Sequence, residues 1–559
     1  MSVAVAHGGG IADHIHPEPQ SFVRKYIFST DHKVIAVQYF VTALIFMVLG
    51  GSFAELMRIQ LFNAQGHFVD NNTYNTLYSM HGSLMVWMVT IPLVTGFFGN
   101  YVMPLQIGAR DVAFPWLNMI SYWLFPVAGL MMLSSLLMGA PTAGWTEYPP
   151  ISLDPTQVGV SMWAASVFLI GVSSTMTALN FTVTIVKMRA PGMTFTRMPL
   201  FVWAQLATNM IMLIATTALG VAVAALFLER QFGVSFFDPA KGGSPVLYQH
   251  MFWFYSHPAV YIIILPAFGI ISEILPTFAR KPIFGYRMIA FSSMAIALAG
   301  FMVWAHHLFT SGLAPYLQLP FMIITYIISV PTGVKIFSWL ATLWGGKIRY
   351  TCSMMWAMSF LVLFTIGGIT GMFLAAVPLD LHLHGSYFVV AHFHFVVGGG
   401  MILAAFAGFY YWWPKITGRL LNETLGKVGF WCFMIGILGT FVPMHWLGIE
   451  GMPRWVANYD PQFEMWNRVE TVSSFFMVAS VLLFVVNAVT SLYAGKKSGP
   501  NPWGARTLEW QIPSPPHYYN FKHIPTVYGL PYDFGQPLPY KGLEEELTDS
   551  PAPVPAGAH

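Results

Sequence analysis

Charge is scarce in this chain. Only 9% of its 559 residues are Asp, Glu, Lys or Arg, while 56% are hydrophobic. A water-facing surface needs more charge than that, which excludes a soluble enzyme and indicates a polytopic membrane protein. Cysteine is nearly missing as well. Cys352 and Cys432 both fall in apolar stretches, excluding a disulfide framework and a Cys-x-x-Cys metal site. The net charge is only +3, and no basic patch or nucleic-acid-binding motif is present, so nucleic acid is not an expected partner. Residues 1–20 are polar and bear His, Pro and Gly. They lack the apolar core of a cleavable signal peptide, so the first span is expected to act as the insertion signal.

What the chain has in quantity is apolar length. Twelve stretches approach the roughly 20 residues that cross a bilayer. They begin near Val34, Tyr74, Phe114, Gly159, Pro199, Leu247, Arg287, Gln318, Thr351, Ser386, Leu425 and Glu470. Basic residues gather at alternate connections: Arg24, Lys25 and Lys33; Lys187, Arg189 and Arg197; Arg280, Lys281 and Arg287; Lys347 and Arg349; Lys415, Arg419 and Lys427; Lys496, Lys497 and Arg506. The positive-inside rule then places both termini in the cytoplasm. The expected fold is an all-α bundle of 12 transmembrane helices. A cytoplasmic segment (1–33) precedes the bundle (34–497), and a Pro-rich cytoplasmic tail (498–559) lies over it without a domain of its own.

Polar groups inside apolar runs are costly and mark function. One run holds Trp253-Phe-Tyr-Ser-His-Pro-Ala-Val-Tyr261. His257 and Tyr261 share a helix face one turn apart, and Pro258 can bend the helix between them. Taken alone, His257 reads equally well as a structural histidine bonded to a neighbouring carbonyl. The next span adds Trp304-Ala-His306-His307, and three imidazoles suit copper or zinc.

The tenth span carries His392 and His394. Residues two apart differ by about 200° around a helix, so these two histidines do not easily bind one metal but can each serve a separate cofactor. A helix wedged between two haems is the economical reading. His81, in the second span, is a candidate second axial ligand for one of them. That haem would be closed, leaving the other with an open position towards copper.

Other polar residues carry two readings each. Arg58 is a snorkelling anchor or a contact to a buried cofactor. Asp111, with Asn100 and Asn118, is a capped loop or a carboxylate ordering water. Lys335, with Thr332 and Ser338 three residues to either side, snorkels or carries protons. Arg454 suits bidentate carboxylates such as haem propionates. The turn-rich loop Gly144-Trp-Thr-Glu-Tyr-Pro-Pro is a cap over the bundle.

Together these residues resemble subunit I of the haem–copper respiratory oxidases, over roughly Phe28 to Phe521. The motifs are Ser29-Thr-Asp-His-Lys, Trp304-Ala-His-His, Pro331-Thr-Gly-Val-Lys, His384 through His394, and Arg506-Thr-Leu-Glu-Trp. The resemblance implies copper on His257, His306 and His307. It implies an oxygen-binding haem on His392 and a low-spin haem between His81 and His394. Tyr261 would be cross-linked to the copper histidine and would supply an electron and a proton when O–O breaks. Lys335 and Thr332 would belong to one proton path, and Asp111, Asn100 and Asn118 to the start of another. Arg58 would meet a ring substituent of the low-spin haem. Trp253, Asp380, His384 and Arg454 would surround the copper site and the propionates.

Departures from the family pattern matter too. Ala259 stands where a proton-relaying glutamate is usual. Tyr255 lies on the same face, and with Ser256 it is expected to take over the relay, as in a subgroup with Tyr-Ser-His-Pro. Gly385 replaces the aspartate often bound to magnesium, leaving that ion without its usual ligand. Trp455 replaces the second arginine of a usual pair. At the quinone-site positions of the quinol-oxidising branch stand Leu49, Phe53, Thr73 and Thr76, so cytochrome c is the expected electron donor.

The resemblance also implies a subunit II carrying the electron-accepting copper, a subunit III, a haem of the a type, O2 and protons as substrates, and a bacterial inner membrane. The alternatives are a quinol oxidase, a nitric oxide reductase with non-haem iron, and, from another class, a channel or transporter. The last has no use for histidines facing opposite ways.

Overall fold

The computed structural model describes residues 18–544 and 546. These hold twelve helical spans long and apolar enough to cross a membrane. Their starts agree with the hydropathy reading to within a few residues, except for the last. That span begins at Pro461, not near Glu470. Its first turns carry Glu464, Asn467, Arg468 and Glu470, whose polarity hides a helix from an apolar count.

Side-chain caps set several starts. Asp31 accepts from the Lys33 amide at 2.8 Å, Thr351 from Met354 at 3.3 Å, and Asn422 from Leu425 at 2.9 Å. Each satisfies a backbone donor that the helix itself leaves free. The fifth span (Leu200–Phe232) closes on Gly233 at φ +71°, a left-handed residue that glycine adopts without strain.

The second span (Asn71–Ile107) and the sixth (Pro245–Ala279) are the most buried, with 83% and 89% of their central windows enclosed. The eighth (Pro315–Leu343) is only 17% enclosed. The two central helices therefore face protein rather than lipid on nearly all sides, and they carry His81 and His257. The sixth is one continuous α-helix, but two other histidine-bearing spans depart from plain α-helix. The second span has π-helical turns at Leu84–Thr90 and Pro92–Gly99, and the tenth (Tyr387–Thr417) has one at Val397–Ile402, just after its histidines. Such turns recur at functional sites because they re-aim side chains within a continuous helix.

The tail is built in more deeply than a polar cover. Leu508–Gln511 is buried, and the Lys415 ammonium donates to the carbonyls of Pro500, Ile512 and Pro513. Tyr532 donates to Glu273 at 2.6 Å, and Glu273 also accepts from the Phe201 amide. Two short strands, Thr526–Val527 and Tyr540–Lys541, pair antiparallel. The tail therefore supplies hydrogen-bond partners that buried helix ends require.

A histidine-lined metal centre

His257, on the sixth span, faces His306 and His307 on a 3₁₀ turn (Trp304–Leu308) that ends the seventh. One ring nitrogen from each lies within 4.8 Å of the others. His257 Nδ1 and His307 Nε2 approach to 3.1 Å. That is about the spacing of two ligand atoms around a metal with bonds of roughly 2 Å. The structural-histidine reading of His257 fails here, because neither of its nitrogens meets a carbonyl and its Nε2 has no partner.

The surroundings hold the rings in place. Trp253 stacks on His307 with centroids 3.5 Å apart and planes 9° from parallel. The Trp253 indole N–H donates to the Tyr148 hydroxyl. His306 Nδ1 meets Thr325 Oγ1 at 3.1 Å. Tyr261 lies beside His257, centroids 4.9 Å apart, and Gly300 leaves the space: a Cβ there would sit 2.8 Å from the Tyr261 ring.

The tenth-span histidines do diverge. His394 faces His81 of the second span across 6.4 Å, with planes 14° apart. One iron with bonds of roughly 2 Å to each ring fits that gap. His81 Nδ1 bonds to Gly50 O and His394 Nδ1 to Val390 O, both at 2.8 Å. These contacts leave both Nε2 atoms free as ligands, as second-shell carbonyls do at metal sites. His392 is fixed in the same way by Gly367 O at 3.0 Å and Thr370 Oγ1 at 3.1 Å. Gly371 accommodates its ring, since a Cβ there would lie 2.8 Å from His392 Cε1. The donor set therefore fits two haem irons and one copper.

Arg58 is buried, which rules out the snorkelling reading. It pairs with Glu470 at 3.0 Å and donates to Asn467 O at 2.8 Å. Its Nε remains without a partner. Arg454 stacks over Trp455 at 4.2 Å, its buried Nε also unpartnered. Burial lowers its pKa to about 10, and a carboxylate neighbour would relieve that cost. Asp380 and His384 bond each other at 3.0 Å.

The proton-path candidates are brought together only in part. Asn118 Nδ2 donates to Asn100 Oδ1 at 2.7 Å. Asp111 accepts from its neighbour Val112, and burial followed by the Asp31 charge raises its pKa to about 8. Tyr255 stacks on Trp87, and Ser256 Oγ beside it is buried without a partner. The hydroxyls expected around Lys335 are not its partners. Thr332 turns back to Ile328 O, while the Lys335 ammonium donates to Ile289 O at 2.8 Å and to Ser293 Oγ at 2.7 Å on the seventh span. Ser338 makes no bond to it.

Ser293, Thr325, Thr370 and Glu470 were missed by reading the sequence, as was Asn209, whose buried amide has no partner on either atom. A hydroxyl or amide in an apolar span was the only available signal, and too many are present for it to discriminate.

Twelve helices enclosing opposed histidines and a three-histidine cluster define an integral membrane protein with a buried metal centre. Residues 34–482 match the family model described as Cytochrome C and Quinol oxidase polypeptide I. The chain is 49% identical over 520 residues to the cytochrome c oxidase subunit 1 of Thermostichus vulcanus, covering 93% of this chain and 94% of that one. It is also 49% identical over 534 residues to the protein of that name from Synechocystis, covering 96% and 95%. A solved haem–copper terminal oxidase dimer shares the fold, with a TM-score of 0.73 at 19% identity over 84% of this chain and 85% of that chain. The chain belongs to the cytochrome c and quinol oxidase polypeptide I family, whose haem–copper chemistry its histidines suit.

Proposed function

We propose that this chain is the catalytic subunit of a bacterial cytochrome c oxidase, reducing O2 to water and moving protons across the membrane. The observation that carries the reading is the pairing of two separate arrangements. His81 and His394 face each other across an iron-sized gap, while His257, His306 and His307 bring their ring nitrogens within 4.8 Å of one another. Bound there, two haems and a copper supply electron transfer and oxygen activation.

The protein's own side chains position and protonate. Carbonyls and hydroxyls on each Nδ1 fix which nitrogen of His81, His392 and His394 is offered as ligand. Tyr261, next to His257, holds a hydroxyl proton at the copper side, and the unpartnered His257 Nε2 suits the cross-link implied by the family. Lys335 holds a proton beside Ser293, on one route. Asp111, the Asn100–Asn118 pair, Ser256 and Tyr255 belong to the other, with Tyr255 replacing the relay glutamate. A tyrosine passes a proton along a hydrogen-bonded chain more readily than it stores charge.

Cytochrome c is the donor. The Thr73 hydroxyl donates to Asp70, which caps the second span, and Leu49 and Phe53 pack on the core, so the quinone-site positions hold no charged side chain. A subunit II brings in the electrons and a subunit III completes the complex. The haems are of the a type, and both termini lie in the cytoplasm. Oxygen uptake by purified membranes, driven in parallel by reduced cytochrome c and by a quinol, tests the reading. Uptake with cytochrome c supports it; uptake with quinol alone contradicts the donor assignment.

A further inference from the structure

The loop between the third and fourth spans hides an acid that none of the roles above uses. Glu147 is fully buried and sits at φ +45°, a left-handed conformation that costs a side chain other than glycine. One carboxylate oxygen accepts from the Ala143 amide at 3.2 Å; the other has no partner. No ion pair compensates it. Arg230, the nearest cation, spends its guanidinium on the carbonyls of Ser152, Asp154 and Gln157. In that same segment the buried Ser152 Oγ and Gln157 Oε1 also lack partners. Buried polar atoms left open in this way are where ordered water belongs.

The loop is attached directly to the metal centre. Trp145 packs against Gly82, next to His81, where a Cβ would come within 2.9 Å of it. Tyr148, the residue after Glu147, accepts from Trp253, which stacks on His307. The groups facing the acid from the surrounding elements are Tyr78 of the second span, Arg230 of the fifth, Tyr248 of the sixth and Tyr148 of its own loop, with Arg454 beyond the two tyrosines Tyr78 and Tyr148. The Tyr78 and Tyr248 hydroxyls donate to the loop carbonyls of Thr142 and Thr146, so neither is spent on the carboxylate.

We propose that Glu147 is a proton-holding group on the outer side of the metal centre, taking a proton from water on the centre's side and releasing it to water around Ser152 and Gln157. This rests on the oxidase reading and deepens it. The balance is simple: the carboxylate gains one proton from a hydronium, then returns one to water, with no change in electrons. Burial holds the carboxyl at about 8, so it is protonated at neutral pH and close enough to release. A group fixed only to anchor the loop would have both oxygens bonded, as Glu229 does to the Phe237 and Asp238 amides.

The test uses the whole oxidase complex in sealed vesicles, wild type against Glu147→Gln, with haem absorbance as the check on assembly. Protons released outside per electron consumed are expected to fall at least two-fold in the variant. In parallel, infrared spectra of the wild type without turnover should contain a protonated carboxyl band that shifts in D2O, fades as pH rises through about 8, and is missing from Glu147→Gln. If that variant does not assemble, Glu147→Asp should move the band instead. An unchanged proton ratio, or a band unaffected by either substitution, overturns the proposal. Loss of oxygen uptake in the wild type itself would overturn the oxidase reading, and the infrared titration would still decide the state of Glu147.

Discussion

Each haem-ligand candidate has its Nδ1 fixed by an acceptor: Gly50 O for His81, Gly367 O and Thr370 for His392, Val390 O for His394. Three of the side chains assigned to protons are finished differently, whereas Lys335 has two acceptors. Ser256 Oγ, Asn118 Oδ1 and one oxygen of Glu147 are buried with no partner at all. A metal ligand must present one nitrogen in one direction, which rigid second-shell bonds enforce. An open polar atom can take up a hydrogen bond to water as a proton passes. The open atoms of those three groups and the closed Nδ1 atoms of the haem-ligand candidates therefore belong to different tasks within one bundle.

The largest expected effect comes from breaking the closed region. His394→Ala should remove one haem and lower oxygen uptake by more than about 100-fold, beyond what outer-shell changes cause. Haem content and uptake together check this. On the proton side, Lys335→Met should lower uptake about tenfold or more, because no other described cation stands beside Ser293. Ser293→Ala leaves Ile289 O as an acceptor and should cost only several-fold. Equal losses in the two variants would show that the hydroxyl, not the ammonium, is the working group.

Tyr255→Phe removes the hydroxyl assigned to the missing glutamate's task. Both uptake and proton release should fall several-fold; if neither changes, Tyr255 is only a packing residue against Trp87. The pH response gives a gentler test. Asp111 keeps its proton up to about pH 8, since burial and the Asp31 charge oppose ionisation. Raising the pH through that value should therefore titrate uptake in the wild type, while Asp111→Asn runs slower and lacks that step. The sign for stability is the same. With a folded pKa above that of a free carboxyl, Asp111 ionises less readily in the folded state, so its contribution declines as pH rises towards and through about 8. The smallest effect belongs to Thr370→Val, which removes one of two bonds to His392 and should cost about 1 kcal/mol, read as slightly easier haem loss.

The spans were legible because an apolar run of bilayer length has few other uses, and alternate basic connections reinforced the count. The histidines were legible for a related reason: imidazoles are rare in such runs, and the i, i+2 spacing of His392 and His394 separates them whatever the tertiary contacts. Their supports were not. Gly50 and Val390 act through carbonyls, which every residue possesses, and Thr370 looks like any hydroxyl in a helix. The same limit hid Ser293 as the partner of Lys335: spacing along one helix pointed to Thr332 and Ser338, but the contact comes from the neighbouring helix. Arg58 looked like an anchor because its partner Glu470 lies 412 positions away in sequence, in a polar stretch that also concealed the start of the last span.

The central claim is that two haem irons and one copper sit on separate histidine sets. The measurement that tests it most directly is the haem and copper content of the purified oxidase, wild type against His307→Ala. The wild type should exceed the variant by one copper per chain, with two haems in both. Equal copper in the two preparations, or a non-haem iron lost in place of copper, would contradict the assignment.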